Sequence, residues 1–419
     1  EAVKANLEYK QNNPGFMSLK AITAIQSIEV VDETTLIIHY PAPYYAYLAD
    51  FCWPDVMIIV SPTVFIEGDY MNFSGISGTG PYAFDHRESG QYTRFVRNED
   101  YWGDAPYYDE IVVKYIPEST SRIQALQNGE IDMIFGSALL SYDEYVQVTA
   151  MDGMAGQISE SDTRVRDLVV NASRPLLTDL KVRQAIAYAI DKESLSENLT
   201  YGYEKAAELP FTEDSPYMDI VLEQTYSYDQ EQANLLLDEA GWVVNDSTGI
   251  REKDGQSLSL VLTLDSAYGS FDHSVATVIK DQLSKVGIEV SINGMEKMDW
   301  MNGYMAGEFD LTLWPGNYAF ANPNCWFNPM SSMTPQTPAL MGLSDSQEFL
   351  DAIAETTVTD DEERLTELFT YLYNYDIGNV IDIPLNYYKD VIVYNSEKIA
   401  GYEFDSAPCF FDVARLTPQ

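Results

Sequence analysis

Between Ser257 and Trp314 the chain switches repeatedly between strand-like and helix-like periodicity, and no other stretch limits the possible folds as much. Ser257 to Leu264 alternates as a strand, Ser274 to Val286 carries helical spacing and stops at Gly287, and Ile288 to Ile292 is again strand-like. A helix near Asp299 to Ala306 and a strand from Phe309 to Trp314 follow. Strand, helix, strand, helix, strand in that order predicts an α/β lobe.

One such lobe does not use up the chain. At 419 residues it is too long for a single ordinary core, so two or more lobes are expected. The texture changes after Asn171: Arg174-Pro175 interrupts the chain, and Asp179 to Ala189 brings Leu180, Val182, Ala185, Ile186 and Ala189 onto one helical face. Asp229 to Ala240 reads as a helix closed by Gly241, and Ser346 to Thr356 and Asp361 to Tyr375 as acidic amphipathic helices. Ile383 to Tyr388 and Val391 to Tyr394 are extended. Upstream, residues 1 to 10 are helical without a capping side chain, Ser27 to Asp32 and Thr34 to Tyr40 form a hairpin, and Tyr92 to Arg97 and Glu110 to Tyr115 are strands. Ser119 to Gly129 begins with capping hydroxyls and ends at glycine, as a short helix does.

Charge removes whole classes of partner. Lys and Arg total 24 against 66 Asp and Glu, a formal balance of -42, which repels nucleic acid and anionic lipid. Hydrophobic residues at 46% and 30 tyrosines instead indicate a folded chain with aromatic cores and pockets. No run approaches the roughly 18 apolar residues of a membrane span. Cys52, Cys325 and Cys409 are too scattered for a metal knuckle and allow one disulfide at most. The glycine-rich Gly75-Ile76-Ser77-Gly78-Thr79-Gly80 lacks the lysine of a phosphate loop, and Pro81 removes an amide, so a structural turn is expected. Asp360-Asp361-Glu362-Glu363 lacks the glycine-bent spacing of a calcium loop and suits a helix start, where the dipole favours carboxylates. No nucleophile elbow, HExxH or local Cys and His signature occurs. A secreted glycoside- or peptide-hydrolysing enzyme with paired carboxylates stays open as the alternative, because spacing cannot single out a pair among 66 acids.

Several motifs carry a resemblance. Gly78-Thr79-Gly80-Pro81-Tyr82, Val96 through Gly103, Arg122 through Asp132 and Val182 through Lys192 resemble the extracytoplasmic solute-binding proteins, family 5, of peptide and nickel ABC importers. Tyr228 to Trp242, Ile250 to Gln256 and Ile383-Pro384-Leu385 look most like the nickel-importer branch. The resemblance implies a two-lobed periplasmic-binding-protein-like clamp of type II, with residues 1–171 plus 388–419 as lobe I and 172–387 as lobe II. Hinge crossings would lie near 170–174 and 387–390. Such proteins begin with a further segment ahead of the position of Glu1, so lobe I is expected to be incomplete. Within lobe I the glycine-rich turn and Asn98 to Gly103 would be scaffold, with the Trp102 ring packed.

The implied activity is capture without catalysis: a ligand in the interlobe cleft favours closure, and ABC permease subunits accept the closed form. The location would be extracytoplasmic, either periplasmic or lipid-anchored, and no cofactor or nucleic-acid partner is expected. The cleft residues would be Phe16, Leu19, Trp53, Ile58, Met301, Asn317, Tyr318, Asn322, Cys409 and Phe410. Peptide-binding members hold the ligand's ammonium with an Asp where this chain has Ala319. Nickel-type members use arginines where Phe16 and Ile58 stand, and a histidine after the proline that this chain lacks between Pro323 and Gly342. No metal ligand is therefore assigned. An apolar, aromatic cleft of this kind suits an uncharged or bulky organic ligand, with peptide and metal chelate as the other classes.

Overall fold

The computed structural model describes residues 1–12, 20–51, 57–136, 139–212, 215–266, 269–315, 322–332, 334–405 and 411–419. Its larger sheet has five strands in the spatial order Glu289–Met295, Ser259–Asp265, Leu311–Trp314, Val165–Val170, Asp382–Tyr387. The first three run parallel, joined through the helices Gly269–Ser284 and Lys297–Met305, as the alternation predicts. The last two are antiparallel additions: Asp167 faces Trp314, and Leu168 faces Ile383.

Helices cover both faces of this sheet, so its inner strands Leu311–Trp314 and Val165–Val170 are buried almost throughout. Leu168, Val170, Leu260, Leu262 and Leu264 pack against the helices Leu180–Ala189, Gln230–Glu239 and Gly269–Ser284. On the opposite face Val165 joins Phe211, Trp326, Phe327, Phe369 and Tyr373, while Val169 joins Trp300, Tyr304 and Phe309. The helix Glu362–Asn379 opens with Asp361, whose Oδ1 accepts from the amides of Glu363 at 3.0 Å and Arg364 at 3.3 Å, so the acidic run is a helix start.

A second, three-stranded sheet holds Val391–Asn395 between Met133–Phe135 and Met154–Ile158. The helices Ser119–Gln127 and Tyr142–Thr149 supply its core with Ile123, Leu126, Tyr142 and Val148. The hydroxyls at the start of the first of these helices do not cap it. Glu118 is the cap position and makes no side-chain cap bond, while Ser119 bonds to Glu144. Ser141 and Glu144 instead form a reciprocal capping box on the second helix.

Tyr82–Glu88, Tyr92–Arg97 and Glu110–Lys114 form a third, antiparallel sheet directly after the glycine-rich turn. No helix follows those glycines, in keeping with a structural turn rather than an anion cradle. The expectation for Trp102 fails: the residue is 81% exposed, and its ring meets Tyr101 at 5.2 Å between centroids in the turn after Tyr92–Arg97. Ahead of this sheet, the helix Ala2–Gln11 and the hairpin Ser27–Val30 with Leu36–His39 share a small core of Leu7, Ile22, Ile25 and Ile28.

One close approach ties the C-terminal helices to the large sheet. Gly342 sits against the backbone just past Val165–Val170, and a Cβ there would come within 2.4 Å of the Ala172 carbonyl carbon and the Ser173 nitrogen. Backbone atoms cannot swing aside as a flexible side chain can. Gly342→Ala should lower stability by on the order of 2 kcal/mol, seen as a lower urea midpoint; an unchanged midpoint would show that the two segments can part freely.

Candidate functional site

The two main sheets meet where the chain passes between them twice. The first passage is 159–164, from Met154–Ile158 to Val165–Val170, and the second is 388–390, from Asp382–Tyr387 to Val391–Asn395. They run side by side. The Ser159 amide donates to the Asp390 carbonyl, the Thr163 amide to the Tyr388 carbonyl, and the Tyr388 amide to the Arg164 carbonyl, each at 2.8 Å. Lys389 adds an ion pair to Asp162 at 2.9 Å.

Strand register brings both sheets' carboxyl ends to this boundary. Trp314 ends its strand opposite Asp167, three residues after the first passage, and the parallel neighbours end at Asp265 and Met295. From the other sheet Phe135 ends opposite Ile392, and the Gly136 amide donates to the Val391 carbonyl at 2.8 Å, beside the second passage. Ligands of open α/β sheets sit outside such carboxyl ends.

At the centre of the boundary lies a buried cation. The Arg166 guanidinium donates to Asp272 at 3.1 Å, to Glu204 at 3.2 Å and to Asn386 Oδ1 at 2.8 Å. It lies between the rings of Tyr388, 4.0 Å away, and Phe271, 4.7 Å away. Burial alone would lower its pKa, but Tyr388, Glu204 and Asp272 outweigh that effect and raise it above the usual value. Burial pushes the carboxyls of Glu204 and Asp272 upward, and Arg166 opposes the shift. From the smaller sheet's side, the Tyr142 hydroxyl donates to Glu204 at 2.8 Å, and the Tyr142 ring stacks on Tyr203 at 5.6 Å. Tyr201 and Asp143 bond just outside.

Each sheet also packs an aromatic cluster. On the large-sheet side Trp300 stacks on Trp314 at 5.6 Å, Tyr304 meets Trp314 edge-on, and the Trp300 Nε1 hydrogen is donated to Thr312 at 2.9 Å. On the small-sheet side Phe135, Tyr402 and Phe411 pack with centroid separations of 5.3 to 5.6 Å.

Three of the expected cleft residues can be placed. Met301 packs against the Trp300 and Trp314 cluster. Asn322 accepts the Asn324 amide on its Oδ1 at 2.9 Å, at the entry to the helix Asn324–Met330. Ile58 is 60% exposed, and its carbonyl accepts from Lys10 at 2.8 Å. Phe16, Leu19, Trp53, Asn317, Tyr318, Cys409 and Phe410 lie outside the described residues. Arg166, Glu204, Asp272, Asn386, Tyr142 and Tyr388 were not expected at the site. The available signal was Val165-Arg166-Asp167-Leu168-Val169-Val170, two charges inside an apolar strand run, which a buried strand must satisfy.

Comparison with known proteins follows the same outline. The profile of bacterial extracellular solute-binding proteins, family 5 Middle, matches residues 1–338. The nickel-binding periplasmic protein of Escherichia coli (strain K12) is 28% identical over 387 residues, 90% of this chain and 72% of that protein. NikA from Brucella suis, crystallised with Fe(III)-EDTA, is similar with a TM-score of 0.89 at 30% identity, covering 100% of this chain and 84% of that one. AppA from Bacillus subtilis in complex with a nonapeptide shares the fold, with a TM-score of 0.78 at 20% identity over 100% of this chain and 82% of its own. These relatives share the two-lobed α/β architecture, and with most of its length matched by the profile, the chain belongs to the bacterial extracellular solute-binding proteins of family 5.

Proposed function

We propose that the chain is a clamp whose hinge is the pair of passages 159–164 and 388–390, and that it captures cargo between the lobes for delivery to ABC permease subunits. The paired passages, with strand ends from both sheets turned toward them, carry this reading. Val165–Val170 is bonded on both edges within the large sheet, so the first hinge crossing is put at 159–164 rather than near 170–174, and lobe II begins near Val165. Closure follows from linkage: cargo that touches both walls stabilises only the closed arrangement.

The cargo is an organic molecule or a metal–organic chelate, recognised through its organic shell. Each sheet carries an aromatic cluster, and among the described residues no three His, Cys, Asp or Glu side chains are placed to hold a metal ion. Relatives were crystallised with Fe(III)-EDTA and with a nonapeptide, the two classes to test first.

Native mass spectrometry of the freshly purified protein should show one small organic species bound at 1:1, and fluorescence titration should show saturable binding of Fe(III)-EDTA or peptide but not of bare Ni²⁺. Tight one-site binding of bare Ni²⁺ would overturn the organic-shell reading. Turnover of glycosides or peptides would overturn the carrier reading itself.

A further inference from the structure

Away from the hinge, the lobes touch a second time. The Tyr45 amide donates to the Thr357 carbonyl at 2.8 Å, and the Lys20 ammonium donates to the Thr357 hydroxyl at 2.9 Å. Lys20 and Tyr45 belong to the segment ahead of the small sheets, while Thr357 follows the helix Ser346–Thr356 on the large-sheet side. The helix Tyr47–Phe51 also packs against Asn324–Met330 across this junction.

One carboxylate organises both donors. Asp50, only 3% exposed, accepts the Ala21 amide at 3.0 Å and the Tyr44 hydroxyl at 2.5 Å on the same Oδ2. Ala21 follows Lys20 and Tyr44 precedes Tyr45, so a single oxygen fixes the backbone beside each donor. The Lys20 ammonium lies 5.3 Å from the centre of the Tyr44 ring, which holds the cation on the same support. On the facing lobe, Thr356 donates to Asn324 Oδ1 at 2.6 Å, and the Asn324 amide donates to Asn322 Oδ1 at 2.9 Å.

We propose that Lys20, Tyr45 and Thr357 form a latch on the closed clamp, that Asp50 is its positioning residue, and that Thr356 and Asn324 tie it to the cleft wall at Asn322. The proposal rests on the clamp reading above. Opening the hinge must break the Tyr45 amide bond, so exchange of that one amide reports the latch directly and without cargo. A failed latch is thereby distinguished from a failed carrier.

The test is hydrogen exchange on the whole chain. Lys20 is exposed, so Lys20→Met removes the ammonium without threatening the core. The Tyr45 amide should exchange roughly five- to tenfold faster in Lys20→Met and in Asp50→Asn, with a smaller rise at the Asn324 amide and none at the Leu168 amide of the large sheet. Lys20→Met combined with Thr357→Val should add nothing beyond the larger single effect, since both remove one contact. Unchanged Tyr45 exchange, an equal rise at Leu168, or additive effects in the double variant would each overturn the latch. An unmoved Asn324 amide would overturn its tie to the cleft wall.

Discussion

Replacing Arg166 by methionine should lower the unfolding free energy by about 3–5 kcal/mol, because it strands Glu204 and Asp272 without their cation in a dry site. The stem of methionine fills much of the same space, so the loss is electrostatic rather than a packing defect. The sandwich between Tyr388 and Phe271 disappears as well. Urea denaturation at neutral pH measures the effect. Adding Glu204→Gln to Arg166→Met should recover part of the loss by removing one orphaned charge. A methionine variant within about 1 kcal/mol of the parent would mean that water reaches the site and screens the carboxylates.

The second large effect is a dependence on pH that runs opposite to ordinary acid denaturation. Asp167, Asp376 and Asp382 are buried together on the face of the large sheet opposite Arg166. Burial raises all three carboxyl pKa values; Asp382 adds to the rise at Asp167 and Asp376, while Lys192 and Arg166 oppose it at Asp167. Asp376 and Asp382 oppose each other's ionisation in this dry setting, and Gln336 donates to Asp382 at 2.8 Å. Burial pushes Asp382 up to about 7.

The folded chain therefore holds protons that the unfolded chain releases near pH 4. Where the folded state binds more protons, stability falls as pH rises. The contribution is complete below about 4 and is lost as pH climbs through about 7, a change of roughly 3–4 kcal/mol from Asp382 alone. The urea midpoint should thus drop between pH 5 and pH 8, and Asp382→Asn should make that slope shallower while keeping an acceptor for Gln336. A slope left unchanged in Asp382→Asn would assign the effect to Asp167 and Asp376, or to the general repulsion of a chain with a balance of -42, instead.

What the sequence disclosed follows the range of the forces involved. Local periodicity carried the alternating strands and helices of residues 257–314, since each strand there is built from neighbouring residues and joined by a crossover within reach. The position of Val165–Val170 inside that sheet was not legible. Its partners are Leu311–Trp314 and Asp382–Tyr387, more than a hundred residues away, and nothing local encodes such a pairing. The helix Asn324–Met330 was hidden by Pro329, which sits inside it, and Gln336–Leu340 by its brevity. Packing misled at Trp102, where a large apolar ring suggests a core and the structure leaves it in solvent. Met301 and Asn322 were expected at the cleft from the resemblance, and they lie against the Trp300 and Trp314 cluster and at the entry to Asn324–Met330, whereas the Arg166 cluster draws on five separate segments and shows only as charges inside an apolar run.

The twin passages, taken as the proposed hinge, would set the kind of motion that is open to the molecule. One lone connecting strand would be a swivel, free to bend in any direction and to twist about its own axis. If the passages are the hinge proposed above, two segments bonded to each other by three amide hydrogen bonds and riveted by Lys389 to Asp162 would resist twisting and let the halves move in one plane, as a door does on its pins. Each swing of such a door would bring the same groups back opposite one another, and contacts placed far from the axis, such as Tyr45 on Thr357, would meet in register each time it shut.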